Sequence, residues 1–391
     1  MTEENKSVKN FPNRVPKLRF PEFREEWEVK KLGEICKMQA GKFVSASEIL
    51  KETNNKLYPC YGANGLRGFT YSYNYDGEYS LIGRQGALCG NITRVYDKFY
   101  ATEHAVVVTP KDKVHSNWLF YLLNYLNLNQ YATGMAQPGL SVQNLLEVES
   151  IITDSIEEQK KIASSLSLID NRISTQKKII EQLETLMKGV GYKLFNKKIR
   201  FKNNDFSEFP SWENKKGNEV FSNISNKNHN SELPILAITQ EYGAIPRDLI
   251  DFQISVTDKS VESYKVVEKG DFIISLRSFQ GGIEYSDYKG ICSPAYIILR
   301  SKIEINSYFY KYYLKSESYI KELNKKLEGI RDGKMISYSY FSDISLPLPT
   351  LDEQQKIAEF LSSVNQKISI EAQLLNQYEN QKKYLLQNLF V

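Results

Sequence analysis

The clearest pattern in the chain is a pair of long stretches in which apolar residues recur at alternating steps of four and three. In the first, Ile162, Leu166, Ile169, Ile173, Ile180, Leu183 and Met187 share one face. In the second, Ile357, Leu361, Val364, Ile368, Leu375 and Tyr378 keep the same register, and Leu385 and Leu389 extend it. Sustained spacing of this kind predicts helices with a coiled-coil seam. Each seam is interrupted once, at the matching place, by Gln176 and by Glu371. A lone polar seam residue costs stability and helps fix register. Equivalent breaks point to two helices pairing antiparallel about a pseudo-two-fold axis. The alternative is that each helix packs on the body before it.

Outside these stretches the apolar period falls from 3.6 to 2. Glu78 to Ile82, Asn91 to Val95 and Ala105 to Thr109 read as strands, punctuated by Gly83, Gly86 and Gly90. Pro234 to Thr239, Asp271 to Arg277 and Tyr296 to Leu299 play that part later in the chain, while Ser116 to Leu128 and Ser307 to Leu327 read as helices. Both bodies are therefore α+β. They are also copies of one another. Arg19-Phe20 leads to Trp27-Glu28 and Lys30-Lys31, as Arg200-Phe201 leads to Trp212-Glu213 and Lys215-Lys216. Glu158-Gln159-Lys160-Lys161-Ile162-Ala163 and Glu353-Gln354-Gln355-Lys356-Ile357-Ala358 agree at five of six positions. A period near half the chain means one unit written twice.

Composition narrows the function. No run of about 18 apolar residues exists, and the polar start MTEENKSVKN lacks the apolar core of a secretory signal, so an intracellular, cytoplasmic protein away from membranes is expected. Cys36, Cys60, Cys89 and Cys292 never approach a paired spacing, and His104, His115 and His229 stand far apart. Neither a zinc site nor a disulfide framework is expected. No G-x-x-x-x-G-K-[ST] loop, G-x-G-x-x-G loop or [DN]-P-P-[FY] motif is present, which argues against an intrinsic ATPase or methyltransferase. The net charge of +4 is compatible with nucleic acid without requiring it. The 26 tyrosines suit neutral contacts to phosphate and base edges, and equally suit half-buried strand positions.

The duplicated plan resembles type I restriction–modification specificity subunits, from about Val15 onward. The resemblance is carried by Pro16-Lys17-Leu18-Arg19-Phe20-Pro21-Glu22-Phe23, by Tyr61-Gly62-Ala63-Asn64-Gly65-Leu66-Arg67-Gly68 and by Leu81-Ile82-Gly83-Arg84-Gln85-Gly86. In the second copy it is carried by Ile274-Ser275-Leu276-Arg277-Ser278 with Gln280-Gly281-Gly282, and by the junction Ser345-Leu346-Pro347-Leu348-Pro349-Thr350-Leu351-Asp352-Glu353. The first junction, Ser150-Ile151-Ile152-Thr153-Asp154, departs from the family by lacking prolines. The resemblance implies target recognition domains at residues 1–154 and 196–350, with coiled-coil helices at 155–195 and 351–391. It implies double-stranded DNA as ligand, two modification (methyltransferase) subunits as partners, and restriction (translocase and nuclease) subunits beyond them. S-adenosylmethionine, ATP and Mg²⁺ would reside on those partners and none on this chain. The helix from Ile162 to Met187 spans roughly 38 Å at about 1.5 Å per residue. That is close to one turn of B-DNA, about 34–36 Å, and suits a spacer between two half-sites.

Candidate DNA contacts are polar residues on glycine-flanked loops. Arg84 and Gln85 lie between Gly83 and Gly86, and Asn64 and Arg67 on the neighbouring glycine loop; Arg277 and Gln280 hold the comparable place in the second copy. Arg can fork onto guanine and Gln onto adenine in the major groove. Thr239, Gln240 and Tyr242 follow an apolar strand, with Arg247 nearby. Gln137 and Lys334 sit in matching late loops and are candidates for phosphate contact. Two other classes remain: a self-contained nuclease with scattered carboxylates, and a protein scaffold that never touches DNA.

Overall fold

The computed structural model describes residues 14–86, 88–134, 138–229, 232–250, 261–325 and 336–391. The chain divides into two compact units, one of residues 1–177 and 374–391 and the other of residues 178–373. Each therefore combines one body, the start of the long helix that follows it and the end of the other long helix.

In the first unit the central sheet is antiparallel, in the order Cys36–Ala40, Ala105–Pro110, Tyr79–Gly83, Ile92–Val95. Side chains alternate across a strand, so both faces can be buried by different partners. Ile82, Val106 and Val108 join Met38 in packing against Trp118, Leu119 and Leu122 of the helix Ser116–Tyr125. Leu81, Ala105 and Val107 face the other way and pack with Phe99 and Ala101. These belong to a second sheet, ordered Gly65–Thr70, Tyr58–Gly62, Lys98–Ala101, Tyr75–Asp76. The layers are helix, sheet, sheet.

The second unit repeats this plan. Its central sheet runs Phe221–Ile224, Ile297–Ser301, Phe272–Ile274, Glu284–Tyr285. Phe272, Ile274 and Leu299 meet Phe309, Tyr310 and Leu314, while Ile273 and Ile298 turn to Leu236, Ala244 and Cys292. Two expectations are corrected here. The strand expected over Asp271 to Arg277 ends at Ile274, because the hydroxyl of Ser278 accepts the Ser275 amide at 2.8 Å and starts a turn. The single helix expected over Ser307 to Leu327 is two, Ser307–Tyr313 and Glu317–Lys325, with Leu327 outside the described residues. Ser316 supplies the reason, since its hydroxyl accepts the Tyr319 amide at 3.3 Å and caps a new helix.

The repeated sequence phrases prove to be two halves of one clasp. Glu158, fully buried, takes two hydrogen bonds from Arg19, at 2.7 and 3.0 Å, and one from the Trp27 indole at 3.2 Å. Glu353 does the same with Arg200, at 3.0 and 2.7 Å, and with Trp212 at 2.7 Å. The carboxylate accordingly raises the pKa of the Arg200 guanidinium. The adjacent glutamines finish the joint. Gln159 accepts the His115 amide at 2.8 Å, and Gln354 accepts the Asn306 amide at 2.9 Å, each at the start of a body helix. A two-stranded ribbon, Glu28–Lys31 with Glu149–Ile152 and Glu213–Lys216 with Ser345–Leu348, brings the start and end of each body together for this purpose.

The long helices run Ile156–Phe195 and Leu351–Leu389. Their first turns pack on the body: Ile162 and Leu166 lie in the first core, Ile357 and Leu361 in the second. Further along, within the first unit, Asp170 pairs with Lys382 at 2.7 Å and Lys177 with Glu379 at 2.9 Å. One position rises as the other falls, so the segments are antiparallel. Ile169 is buried, Ile173, Ile180, Leu183, Val364, Ile368 and Leu375 are half-buried, and the polar breaks Gln176 and Glu371 are buried at 5% and 8% exposure. The helix ends act as plugs. Phe390 sits among Trp27, Trp118 and Tyr125, with ring centroids 5.5–6.4 Å away. Phe195 meets Phe309 and Tyr313 at 5.8 and 5.4 Å. No described helix is long and apolar enough to cross a membrane.

Candidate nucleic-acid interface

In the first unit the structure brings the two glycine loops together. Tyr58–Gly62 and Gly65–Thr70 form a hairpin whose turn is Ala63-Asn64, with Gly65 at a φ of +80° that L side chains rarely adopt. A Cβ on Gly83 would lie 2.2 Å from the Ala63 carbonyl oxygen, so only glycine lets the hairpin tip seat on the strand end. Backbone bonds complete the joint. Thr102 N donates to Tyr61 O at 2.9 Å, Arg84 N to His104 O at 2.8 Å and Leu140 N to Arg84 O at 2.9 Å. Asn64, Arg67 and Gln85 are exposed; Arg84 is half-buried, its Nε donating to Leu140 O at 3.3 Å. Gln137 lies outside the described residues.

A third loop, Gly41-Lys42-Phe43, joins them; its Gly-Lys pair lacks both the upstream glycine and the following Ser or Thr of a phosphate loop. Gly41 approaches the Ala101 and Thr102 carbonyls so closely that a Cβ would stand 2.2 and 2.4 Å from them, and Lys42 N donates to Ala101 O at 3.0 Å. Phe43 follows at 76% exposure, its carbonyl held by the Tyr100 hydroxyl at 3.0 Å. His104, beside Glu103 at 3.2 Å, lies next to the Arg84 loop. Its sequence signal is Gly41 followed two residues later by the large apolar Phe43.

The second unit places equivalent elements in the same relation. Leu236–Thr239 and Gly243–Pro246 form the hairpin, and Thr239 Oγ1 accepts the Tyr242 amide at 2.9 Å across its tip. Gln240 and Tyr242 are exposed there, with Thr239 half-buried. Arg277 and Gln280, both exposed, lie on the loop and short helix after the central strand, and Gln240 Nε2 donates to Arg277 O at 3.3 Å. Arg247 is half-buried, and its Nε and Nη1 have no hydrogen-bond partner among the described residues. Arg247 and Arg277 both act electrostatically on the Tyr296 phenol, whose pKa burial raises and these cations pull back. Lys334 lies outside the described residues.

Comparison with known proteins agrees with this duplicated geometry. The family model described as the type I restriction modification DNA specificity domain matches twice, over residues 24–185 and 197–380. The EcoprrI specificity subunit of Escherichia coli is 48% identical over 154 residues, 39% of this chain and 38% of that one. The MjaVIII specificity subunit of Methanocaldococcus jannaschii is 28% identical over 402 residues, 94% of this chain and 92% of that one. Among solved structures, the type I restriction–modification S subunit from M. genitalium shares the fold, with a TM-score of 0.65 at 18% identity over 96% of this chain and 99% of that one. Matched in both halves by one model, the chain belongs to the type I restriction–modification DNA specificity family, as a recognition subunit without catalytic chemistry of its own.

Proposed function

We propose that each body reads one half of a split DNA target, and that the paired helices set the gap between halves. The observation that carries this reading is the recurrence of one constellation. In both units a hairpin tip and the loop after a central strand meet, presenting Asn64, Arg67, Arg84 and Gln85 in one and Thr239, Gln240, Tyr242, Arg277 and Gln280 in the other. These residue types are those that discriminate bases in the major groove and hold phosphates beside it. Arg247, Gln137 and Lys334 would add backbone contacts. The helices would dock two modification subunits that carry S-adenosylmethionine and methylate adenine. Restriction subunits would join for ATP- and Mg²⁺-dependent translocation and cleavage of cytoplasmic DNA.

The test is co-expression with the candidate modification subunit in a host free of methylation, followed by mapping of methylated adenines. A split motif with a fixed gap is expected, one half changing when either body is exchanged. A soluble complex that methylates nothing, and does not bind duplex DNA, overturns the reading.

A further inference from the structure

The two constellations are held together by different means. In the first unit the loops are joined backbone to backbone, through the Ala63 approach to Gly83 and the bonds from Thr102, Arg84 and Leu140. In the second unit an ion pair between a half-buried lysine and a buried carboxylate joins them. Lys315 Nζ lies 2.6 Å from Glu284 Oε2 and donates to the carbonyl oxygen of Gln240, also at 2.6 Å. Glu284 is 1% exposed, on the edge strand beside Phe272–Ile274. Lys315 sits in the break between the helices Ser307–Tyr313 and Glu317–Lys325. From the tethered Gln240, the side chain crosses to Arg277 O and fills the space a Cβ at Gly281 would need, 2.7 Å from its amide. Sheet, helix break and hairpin tip thus converge on one ammonium group, and the Arg277 loop is tied to them through the Gln240 side chain.

A buried ion pair is rarely the most stable filling for such a site, since desolvation consumes most of its attraction. What apolar groups of the same shape cannot do is donate to the Gln240 carbonyl. We propose that Lys315, held by Glu284, is a positioning residue for the second body, fixing Gln240 and Arg277 for discrimination of one half-site without itself touching DNA. The proposal rests on the reading that this body reads DNA.

The test uses the complex with modification subunits and duplexes altered in either half-site. Lys315→Met alone leaves Glu284 unpaired and risks unfolding, so the deciding variant is Glu284→Gln with Lys315→Met, which removes both charges. We expect it to keep the wild-type unfolding midpoint and first half-site discrimination, and to lose discrimination at the second by about tenfold, the scale of one misplaced base contact. Lys315→Arg, which keeps a cationic donor, should restore most of that loss. Unchanged discrimination in the double variant, equal loss at both half-sites, or no rescue by arginine would each overturn the proposal. Those results are separable from failure of the underlying reading, which shows as a wild-type complex with no preference at the second half-site.

Discussion

Glu158 and Glu353 each satisfy an arginine and a tryptophan brought from more than a hundred residues away, and Glu353 is wholly buried while Arg200 keeps 21% of its side-chain surface. Removing one member of a buried pair leaves the other uncompensated, at about 3–5 kcal/mol. With Arg200 partly solvated, Glu353→Ala should cost about 3 kcal/mol in the second unit, read as accelerated hydrogen exchange over residues 200–230 and the helix start. His115 gives a pH dependence in the first unit. Burial lowers its pKa from 6.5, with Lys160 and Arg94 adding to the effect, and its Nδ1 is buried without a hydrogen-bond partner among the described residues. A base with a depressed folded pKa binds its proton more readily when unfolded, so stability is lost as pH falls below about 6.5. Protection factors around Ser116–Tyr125, which divide out the intrinsic pH dependence of amide exchange, should therefore fall from pH 7.5 to 5.5, and His115→Asn should flatten that fall. At the interface, Gln85→Ala and Gln280→Ala should each relax preference at one base pair by about 5- to 150-fold, in opposite halves of the target.

At the level of elements, the end of each long helix is an aromatic plug. Phe390 is 2% exposed among Trp27, Trp118 and Tyr125. Phe390→Ala should cost about 3–5 kcal/mol, the range for emptying a packed aromatic site, and a fall in the first unit's unfolding temperature would register it. How much of this was legible in the sequence depended on periodicity. The seams were readable because a helix repeats its face, and the sheets' buried strands because Ala105 to Val108 is an unbroken apolar run. Trp27, Trp212, Glu158 and Glu353 were visible as a duplication, but not as a clasp, because the partners stand 131 and 141 residues apart. The candidate contact loops showed their glycines and polar residues. That they meet was hidden, because Ala63 docks on Gly83 through backbone atoms that carry no residue signature. Lys315 was invisible for a different reason: it lies within what reads as one continuous helix.

For the whole molecule, the spacer role has its own test. Inserting four residues between Lys177 and Leu183 lengthens that helix by about 6 Å, nearly two base pairs at about 3.4 Å each. The gap in the methylated motif should lengthen by one or two base pairs with both half-sites unaltered; an unchanged gap would remove the ruler. The division of the chain into units has one more consequence, for the order in which the protein is made. The second unit is a single continuous stretch, residues 178–373, whereas the first needs residues 374–391 to close over Trp27 and Trp118. At ~5–20 residues per second, a ribosome delivers that closing segment about 10–40 s after Lys177. Domains ordinarily mature from the N-terminus onward. Here the body synthesised first is finished last, and for that interval the sides of its two tryptophans that Phe390 covers stand open to chaperones and proteases.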